Sequence, residues 1–224
     1  NIVDSTRAIY DFSLNAHPIL TLYDAGGLDT LNLSGWNTPS RIDLHAGAYS
    51  SANSMTNNIA IAYSTTIENA TGGGGDDVIT GNDVANALRG GGGNDSLYGS
   101  GGDDTLVGGA GNDTIEGGSG TDTVVFEGSF ASYTISIAGD TVTVSGTASG
   151  TDRVLGVERF QFADLTRTLA ELSPNSDTTA PQLASVSPTD NATGVAAASN
   201  LLLVFNESVK LGSGSFGIYN SDGT

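Results

Sequence analysis

Gly72-Gly73-Gly74-Gly75-Asp76-Asp77-Val78-Ile79-Thr80 opens a run of nine-residue units. Gly81–Arg89 is a worn copy with Asn86 in place of the aspartate, and Gly90-Gly91-Gly92-Gly93-Asn94-Asp95-Ser96-Leu97-Tyr98 restores the pattern. Gly99–Val107, Gly108–Glu116 and Gly117–Val125 follow in the same register. Place six holds Asp77, Asn86, Asp95, Asp104, Asp113 and Asp122; place eight holds Ile79, Leu88, Leu97, Leu106, Ile115 and Val124. The last three places read as a short strand, whose middle side chain points to one face and its neighbours to the other. The middle residue is aliphatic, while Ala87, Ser96, Thr105, Thr114 and Thr123 at place seven suit a wet face. The six places between strands must reverse the chain, and glycine supplies the positive-φ conformations that a tight turn demands. An all-β solenoid follows. If two units make one coil, turns on one side recur every 18 residues: Asp77, Asp95 and Asp113 stack on one side, Asn86, Asp104 and Asp122 on the other.

Those turns suit a hard cation. Calcium takes six to eight oxygens, including carboxylates and backbone carbonyls. The spacing predicts good sites at the Asp77/Asp95, Asp95/Asp113 and Asp104/Asp122 pairs, and a weaker one at Asn86/Asp104, which lacks one charge. The six units resemble the RTX (hemolysin-type calcium-binding) repeats of secreted bacterial proteins, whose consensus is G-G-x-G-x-D-x-U-x. The resemblance implies a right-handed parallel β-roll. It also implies calcium ligands from the early turn places at Gly72, Gly74, Gly90, Gly91, Gly92, Gly93, Gly99, Gly101, Gly108, Gly109, Ala110, Gly111, Gly118 and Gly120, beside the place-six carboxylates.

Residues 1–71 carry Tyr10-Asp11-Phe12, Tyr23-Asp24-Ala25-Gly26-Gly27-Leu28-Asp29-Thr30-Leu31, Arg41-Ile42-Asp43-Leu44 and Thr66-Ile67-Glu68-Asn69-Ala70. This stretch resembles the start of the C-terminal domain of serralysin-type secreted metalloproteases. That resemblance implies a calcium pair: Asp24, Gly26 and Asp29 around one ion, and Gly27, Asp29, Thr66 and Glu68 around its neighbour, with Asp29 bridging. Carbonyls of Asp4, Thr6 and Ala8 align with further ligands of the first ion. The family's protease is a zinc enzyme with an H-E-x-x-H helix. This chain has two histidines, His17 and His45, in no such motif, so it carries no zinc site and no catalytic residues. Both read as surface or core histidines, and Trp36 as a core residue of the first segment.

The 224 residues include 25 acidic against seven basic side chains, 32 glycines and no cysteine, for a formal net charge of -18. Such a surface would repel nucleic acid. Without cysteine there is no disulfide scaffold, and no apolar run is long enough to span a membrane. A chain that begins in mid-pattern at Asn1-Ile2-Val3 reads as a piece of something longer. Asp76 and Asp103, at place five, read as solvated neighbours that add negative field.

After the repeats, Tyr133, Ile135 and Ile137, then Val142 and Val144, alternate around Ala138-Gly139-Asp140, which reads as a hairpin. Gly150–Asp164 resembles a stretch that closes RTX rolls; its aromatic residues would cover the open end, as a solenoid requires. Residues 126–172 are therefore expected as capping strands and Ser173–Thr179 as a polar linker. Ala180–Thr224, with Pro188-Thr189-Asp190-Asn191 and Leu201-Leu202-Leu203-Val204-Phe205, resembles the start of a bacterial Ig-like sandwich, a fold that needs about 100 residues. The expected protein is monomeric, secreted and extracellular, folded by several calcium ions, and exported by type I secretion machinery. Two parents compete: a serralysin-like zinc metalloprotease, of which this would be the non-catalytic C-terminal part, and a large RTX adhesin or surface-layer protein.

Overall fold

The computed structural model describes residues 9–11, 19–24, 26–147, 149–172, 182–187 and 202–205. They fall in two compact units, Asn1–Pro174 and Asn175–Thr224. Among the described residues no helix is long and apolar enough to cross a membrane.

The first unit is a roll of two parallel sheets, with successive repeat strands going to alternate sheets. In one, Ala87–Gly92, Thr105–Ala110 and Thr123–Val125 pair in parallel, with Leu88 against Leu106 and Leu106 against Val124. In the other, Val78–Thr80, Ser96–Gly101 and Thr114–Ser119 pair likewise, with Ile79 against Leu97 and Leu97 against Ile115. The 18-residue coil read from the period is therefore the observed one. The strands differ from the expectation in length. Those at Ala87, Ser96, Thr105 and Thr114 run for six residues, through places one to three of the next unit. The leading glycines pair as strand because their neighbours in the preceding coil present matching carbonyls: Gly92 N–H donates to Gly73 O at 2.9 Å and Gly101 N–H to Asn82 O at 3.1 Å.

The flank adds coils to the same roll. Thr30–Asn32 pairs in parallel with Asn69–Thr71, which pairs with Ala87–Gly92, and Arg41–Asp43 pairs with Val78–Thr80. One core column accordingly reads Tyr10, Leu31, Ala70, Leu88, Leu106, Val124, Phe160. The other reads Ile42, Ile79, Leu97, Ile115, Val154. All belong to one buried cluster, which also takes in Trp36. Ile42 pairs with Ile79 rather than with a residue 18 further on because the intervening chain supplies two strands of a small side sheet. That sheet contains Leu20–Leu22, Ile59–Ile61 and Tyr49–Ser50, and its Leu22, Ile59 and Ile61 are buried.

The hairpin after the repeats is present as Tyr133–Ala138 and Thr141–Gly146. Its second strand pairs antiparallel with Gly150–Leu155, which rejoins the roll in parallel against Thr114–Ser119. Arg159–Gln161 does the same on the other sheet, against Thr123–Val125. At this end Phe126, Phe130, Tyr133 and Phe162 pack ring against ring, with centroids 5.0–5.6 Å apart, and Phe160 is fully buried.

In the second unit the described residues are two antiparallel strands, Leu183–Ser187 and Leu202–Phe205. The linker Ser173–Thr179, His17, and the expected carbonyl ligands at Asp4, Thr6 and Ala8 lie outside the described residues.

Candidate metal centre

The place-six side chains form two ladders. On one side Ser40 N–H donates to Asp77 Oδ1 at 2.6 Å. Asp77 N–H donates to Asp95 Oδ1 at 2.8 Å, Asp95 N–H to Asp113 Oδ1 at 2.8 Å, and Asp113 N–H to Asp152 Oδ1 at 3.0 Å. On the other side Asp29 N–H donates to Glu68 Oε2 at 2.7 Å. Asn86 N–H donates to Asp104 Oδ1 at 2.7 Å, Asp104 N–H to Asp122 Oδ1 at 2.9 Å, and Asp122 N–H to Glu158 Oε2 at 2.8 Å. Each carboxyl thus spends one oxygen on the amide of the coil before it.

The second oxygen is the informative one. Oδ2 of Asp95, Asp104, Asp113 and Asp122 is buried and accepts no hydrogen bond. A buried carboxylate oxygen left this way is costly. Each Oδ2 faces the leading glycine of its own unit. A Cβ placed on Gly99 would strike both Asp104 Oδ2 and the carbonyl oxygen of Gly117, one coil on; one on Gly90 would meet Asp95 Oδ2 and the Gly108 carbonyl oxygen. Carboxylate and carbonyl oxygens from successive coils therefore converge on a space that only a glycine leaves open. The donor set is all oxygen, as calcium prefers, and the residues fit that ion. Among the described residues no three His, Cys, Asp or Glu side chains cluster as a metal site. Each repeat turn instead faces its carboxylate oxygen toward backbone carbonyl oxygen, as at Gly90 and Gly99.

Burial drives the carboxyls toward their protonated form. Desolvation, then repulsion from the neighbouring aspartates, lifts Asp95 to about 7 against the amide hydrogen bond that lowers it. Asp104 rises to about 6 and Asp152 to about 7, with desolvation again the largest cause. Asp77, Asp113 and Asp122 are raised for the same reason.

Asp77 and Asn86 differ from the rest. Asp77 Oδ2 accepts from Gly73 N–H at 2.6 Å, so both its oxygens have protein donors. Asn86 is satisfied throughout: Oδ1 accepts from Asn82 N–H at 2.8 Å, and Nδ2 donates to Glu68 O at 2.9 Å and to Asn82 Oδ1 at 3.0 Å.

Among the ligands implied for the flank, the structure joins two local pairs, Asp24 with Gly26 and Asp29 with Glu68, and does not gather the three carboxylates into one cluster. Gly26 and Gly27 have φ of +118° and +138°, Gly26 N–H donates to Asp24 Oδ2 at 3.4 Å, and Asp29 N–H bonds Glu68. Thr66 is exposed; its neighbour Thr65 is the buried one, its Oγ1 accepting from Asp24 N–H at 3.1 Å. Gly72, Gly74, Gly91, Gly92, Gly93, Gly101, Gly108, Gly109, Ala110, Gly111, Gly118 and Gly120, expected to supply carbonyls, all lie in the stacked turns or the strand ends that enter them.

Three residues escaped the sequence reading, and a fourth, Glu68, was expected only as a flank ligand. Ser40, Glu68, Asp152 and Glu158 occupy place-six positions in coils whose spacing is not nine. Each was legible only as the residue two before a buried apolar strand centre: Ile42, Ala70, Val154 and Phe160. Place five also does more than add charge. Asp76 and Asp103 are exposed as expected, yet Asn94 N–H donates to Asp76 Oδ1 at 2.7 Å and Thr121 N–H to Asp103 Oδ1 at 2.8 Å. His45 pairs with Asp43 at 2.8 Å on the surface.

Residues 4–172 match the family model described as peptidase M10 serralysin C terminal, and residues 177–223 match that of a bacterial Ig-like domain. Serralysin of Photorhabdus laumondii is 47% identical over 75 residues, 34% of this chain and 16% of its own length. Serralysin C of Dickeya chrysanthemi is 50% identical over 61 residues, 27% of this chain and 13% of its own. Metallopeptidase AprA of Pseudomonas marginalis is 41% identical over 71 residues, 32% of this chain and 15% of its own. The matched stretches therefore span only 13 to 16% of these relatives. A solved structure, the extracellular lipase LipA from Serratia marcescens, overlays 46% of this chain and 18% of its own at 23% identity, with a TM-score of 0.39.

Proposed function

The chain belongs to the peptidase M10 serralysin C-terminal family, and on that footing we propose that it is a calcium-binding, calcium-folded module of a secreted bacterial protein. Its parent is a serralysin-like zinc metalloprotease, of which this is the non-catalytic C-terminal part. The observation that carries the reading is the set of buried Oδ2 atoms at Asp95, Asp104, Asp113 and Asp122, each without a protein donor.

The energetics follow from the turn. One buried aliphatic side chain per nine residues is a thin core, whereas ordering the backbone costs about 1–2 kcal/mol per residue. The buried aspartates oppose folding further while they stay ionised. Extracellular calcium modules bind at about 10⁻⁴–10⁻³ M, and an ion at ten times its Kd adds about 1.4 kcal/mol. Several ions acting on one roll decide whether it folds. In low cytosolic calcium the chain stays unfolded, which suits threading through type I secretion machinery; millimolar calcium outside the cell folds it. Absence of cysteine suits export without oxidative folding.

The domain organisation we propose is a flank at 1–71, repeats at 72–125, capping strands at 126–172, a linker at 173–179 and an Ig-like segment from 180. Far-UV circular dichroism of this chain in millimolar calcium and in EGTA tests the reading. The strand signal should appear with calcium and vanish in chelator; an unchanged signal refutes it. Hydrolysis of casein by this chain alone would refute the non-catalytic assignment.

The bacterial Ig-like match at residues 177–223 favours a second reading, a module of a large RTX adhesin or surface-layer protein. The parent's sequence upstream of Asn1 separates the two: an H-E-x-x-H motif there supports the protease, and tandem sandwiches without it support adhesion.

A further inference from the structure

Ser149-Gly150-Thr151-Asp152 repeats Ser119-Gly120-Thr121-Asp122 letter for letter, 30 residues on and outside the periodic run. The copy is also a structural one. Gly150 has φ +88°, in the positive range of its counterparts Gly93, Gly111 and Gly120, and a Cβ there would strike Gly111's carbonyl oxygen as one on Gly111 would strike Gly93's. Gly111 N–H donates to Ser149 O at 2.9 Å, as Gly93 N–H does to Ala110 O at 2.9 Å. Thr151 N–H donates to Asn112 Oδ1 at 2.9 Å, as Asn112 N–H does to Asn94 Oδ1 at 2.9 Å. Arg153 N–H donates to Asp113 O at 2.8 Å, as Thr114 N–H does to Asp95 O at 2.8 Å. Val154 then pairs with Ile115 in the core column. Each of these bonds thus recurs with 21 more residues between its partners; the Asp113 N–H bond to Asp152 Oδ1 spans 39 where that of Asp95 to Asp113 spans 18. The excess is the chain that makes the 133–146 hairpin.

What this coil adds to the ladder is oxygen. Asp113 and Asp152 are each only 2% exposed. Asp113 Oδ2, turned toward Gly108, accepts no hydrogen bond, and Ser149 Oγ is likewise buried without a partner. Gly108, Ser149 and Asp152 line one cavity of about 450 Å³. The cation on its wall, Arg89, is engaged by Glu127 at 2.7 Å.

We propose that Ser149–Leu155 is a displaced seventh repeat, and that Asp113, Ser149 and Asp152, with carbonyl oxygens of the turn that begins at Gly108, form a further calcium site. Its ion closes the last coil and pins the hairpin to the roll. The site rests on the calcium reading of the other turns, and the test separates the two. Calcium bound per chain is counted by equilibrium dialysis for the unaltered chain and for Asp152→Asn, with circular dichroism in saturating calcium as the folding control. Asp152→Asn should keep the strand signal and bind one ion fewer. An equal count in the two proteins overturns this site and leaves the general reading standing; no ion in the unaltered chain overturns both. Should Asp152→Asn fail to fold, Ser149→Ala decides: one weakened step in the calcium titration supports the site, and an unchanged titration overturns it.

Discussion

Replacing Asp95 by Asn should have opposite effects with and without calcium. Burial and the neighbouring carboxylates lift the Asp95 carboxyl from 3.8 to about 7. At about 1.36 kcal/mol per pKa unit, keeping it ionised inside the metal-free turn at about pH 7.5 costs on the order of 4 kcal/mol. Asn removes that charge. Its Oδ1 still accepts from Asp77 N–H, and its Nδ2 stands beside Gly108's carbonyl oxygen, where Asp95 Oδ2 faces it now. Asn86 shows that an uncharged amide fits place six, with its two ends reversed: Nδ2 donates to Glu68 O at 2.9 Å and Oδ1 accepts from Asn82 N–H at 2.8 Å. In EGTA, Asp95→Asn should therefore favour the folded roll by up to about 4 kcal/mol. In calcium it should disfavour it, because Asp95 belongs to both the Asp77/Asp95 and the Asp95/Asp113 pairs. Each lost ion removes about 1.4 kcal/mol at ten times its Kd. Urea unfolding in millimolar calcium reads the second effect, and refolding by the excluded osmolyte trimethylamine N-oxide in EGTA reads the first, both followed by circular dichroism. If Asp95→Asn needs as much osmolyte to fold in EGTA as the unaltered chain, the argument that these carboxylates are uncompensated in the metal-free fold is refuted.

Acidification should act the same way. The raised carboxyls make the metal-free roll bind more protons than the unfolded chain between about pH 4 and 7, so its stability in EGTA should rise as pH falls through that window. Calcium competes with those protons, so calcium affinity, read by titration at each pH, should fall over the same range. Gly109→Ala should destabilise the calcium form by at least about 1–3 kcal/mol, because φ is +115° and the new Cβ meets Gly91's carbonyl oxygen. Gly139→Asn, at φ +61° with open space, should cost less in the same thermal melt. Phe160→Ala should lower stability in calcium by about 3–5 kcal/mol, since the ring is fully buried at the end of its core column. A loss below about 1 kcal/mol would show that the cap does not close the roll.

Much of the roll was legible because its determinants are local and periodic. An aliphatic residue every nine positions, with an aspartate two before it, is enough to set the 18-residue coil and both core columns. The flank coils were not legible. Leu31 meets Ala70 39 residues on, and Ile42 meets Ile79 37 on, so no fixed period contains them. The cap hid Asp152 in the same way, since the hairpin breaks the spacing but not the stacking. Place five was read only in part, for a different reason. Asp76 is exposed, and exposure conceals that its Oδ1 accepts the amide of Asn94.

What the chain's own letters determined, then, is a repeating turn rich in glycine and aspartate, a single inward aliphatic residue per unit, and an overall charge hostile to polyanions. Only the tertiary structure decided which carboxylate oxygens are left over once the amides of the preceding coil are served, and which out-of-phase residues join the ladders. The physical reason is that stacking depends on hydrogen-bond register between neighbouring coils. Register tolerates an insertion of any length on the outside of the roll, whereas a sequence period does not.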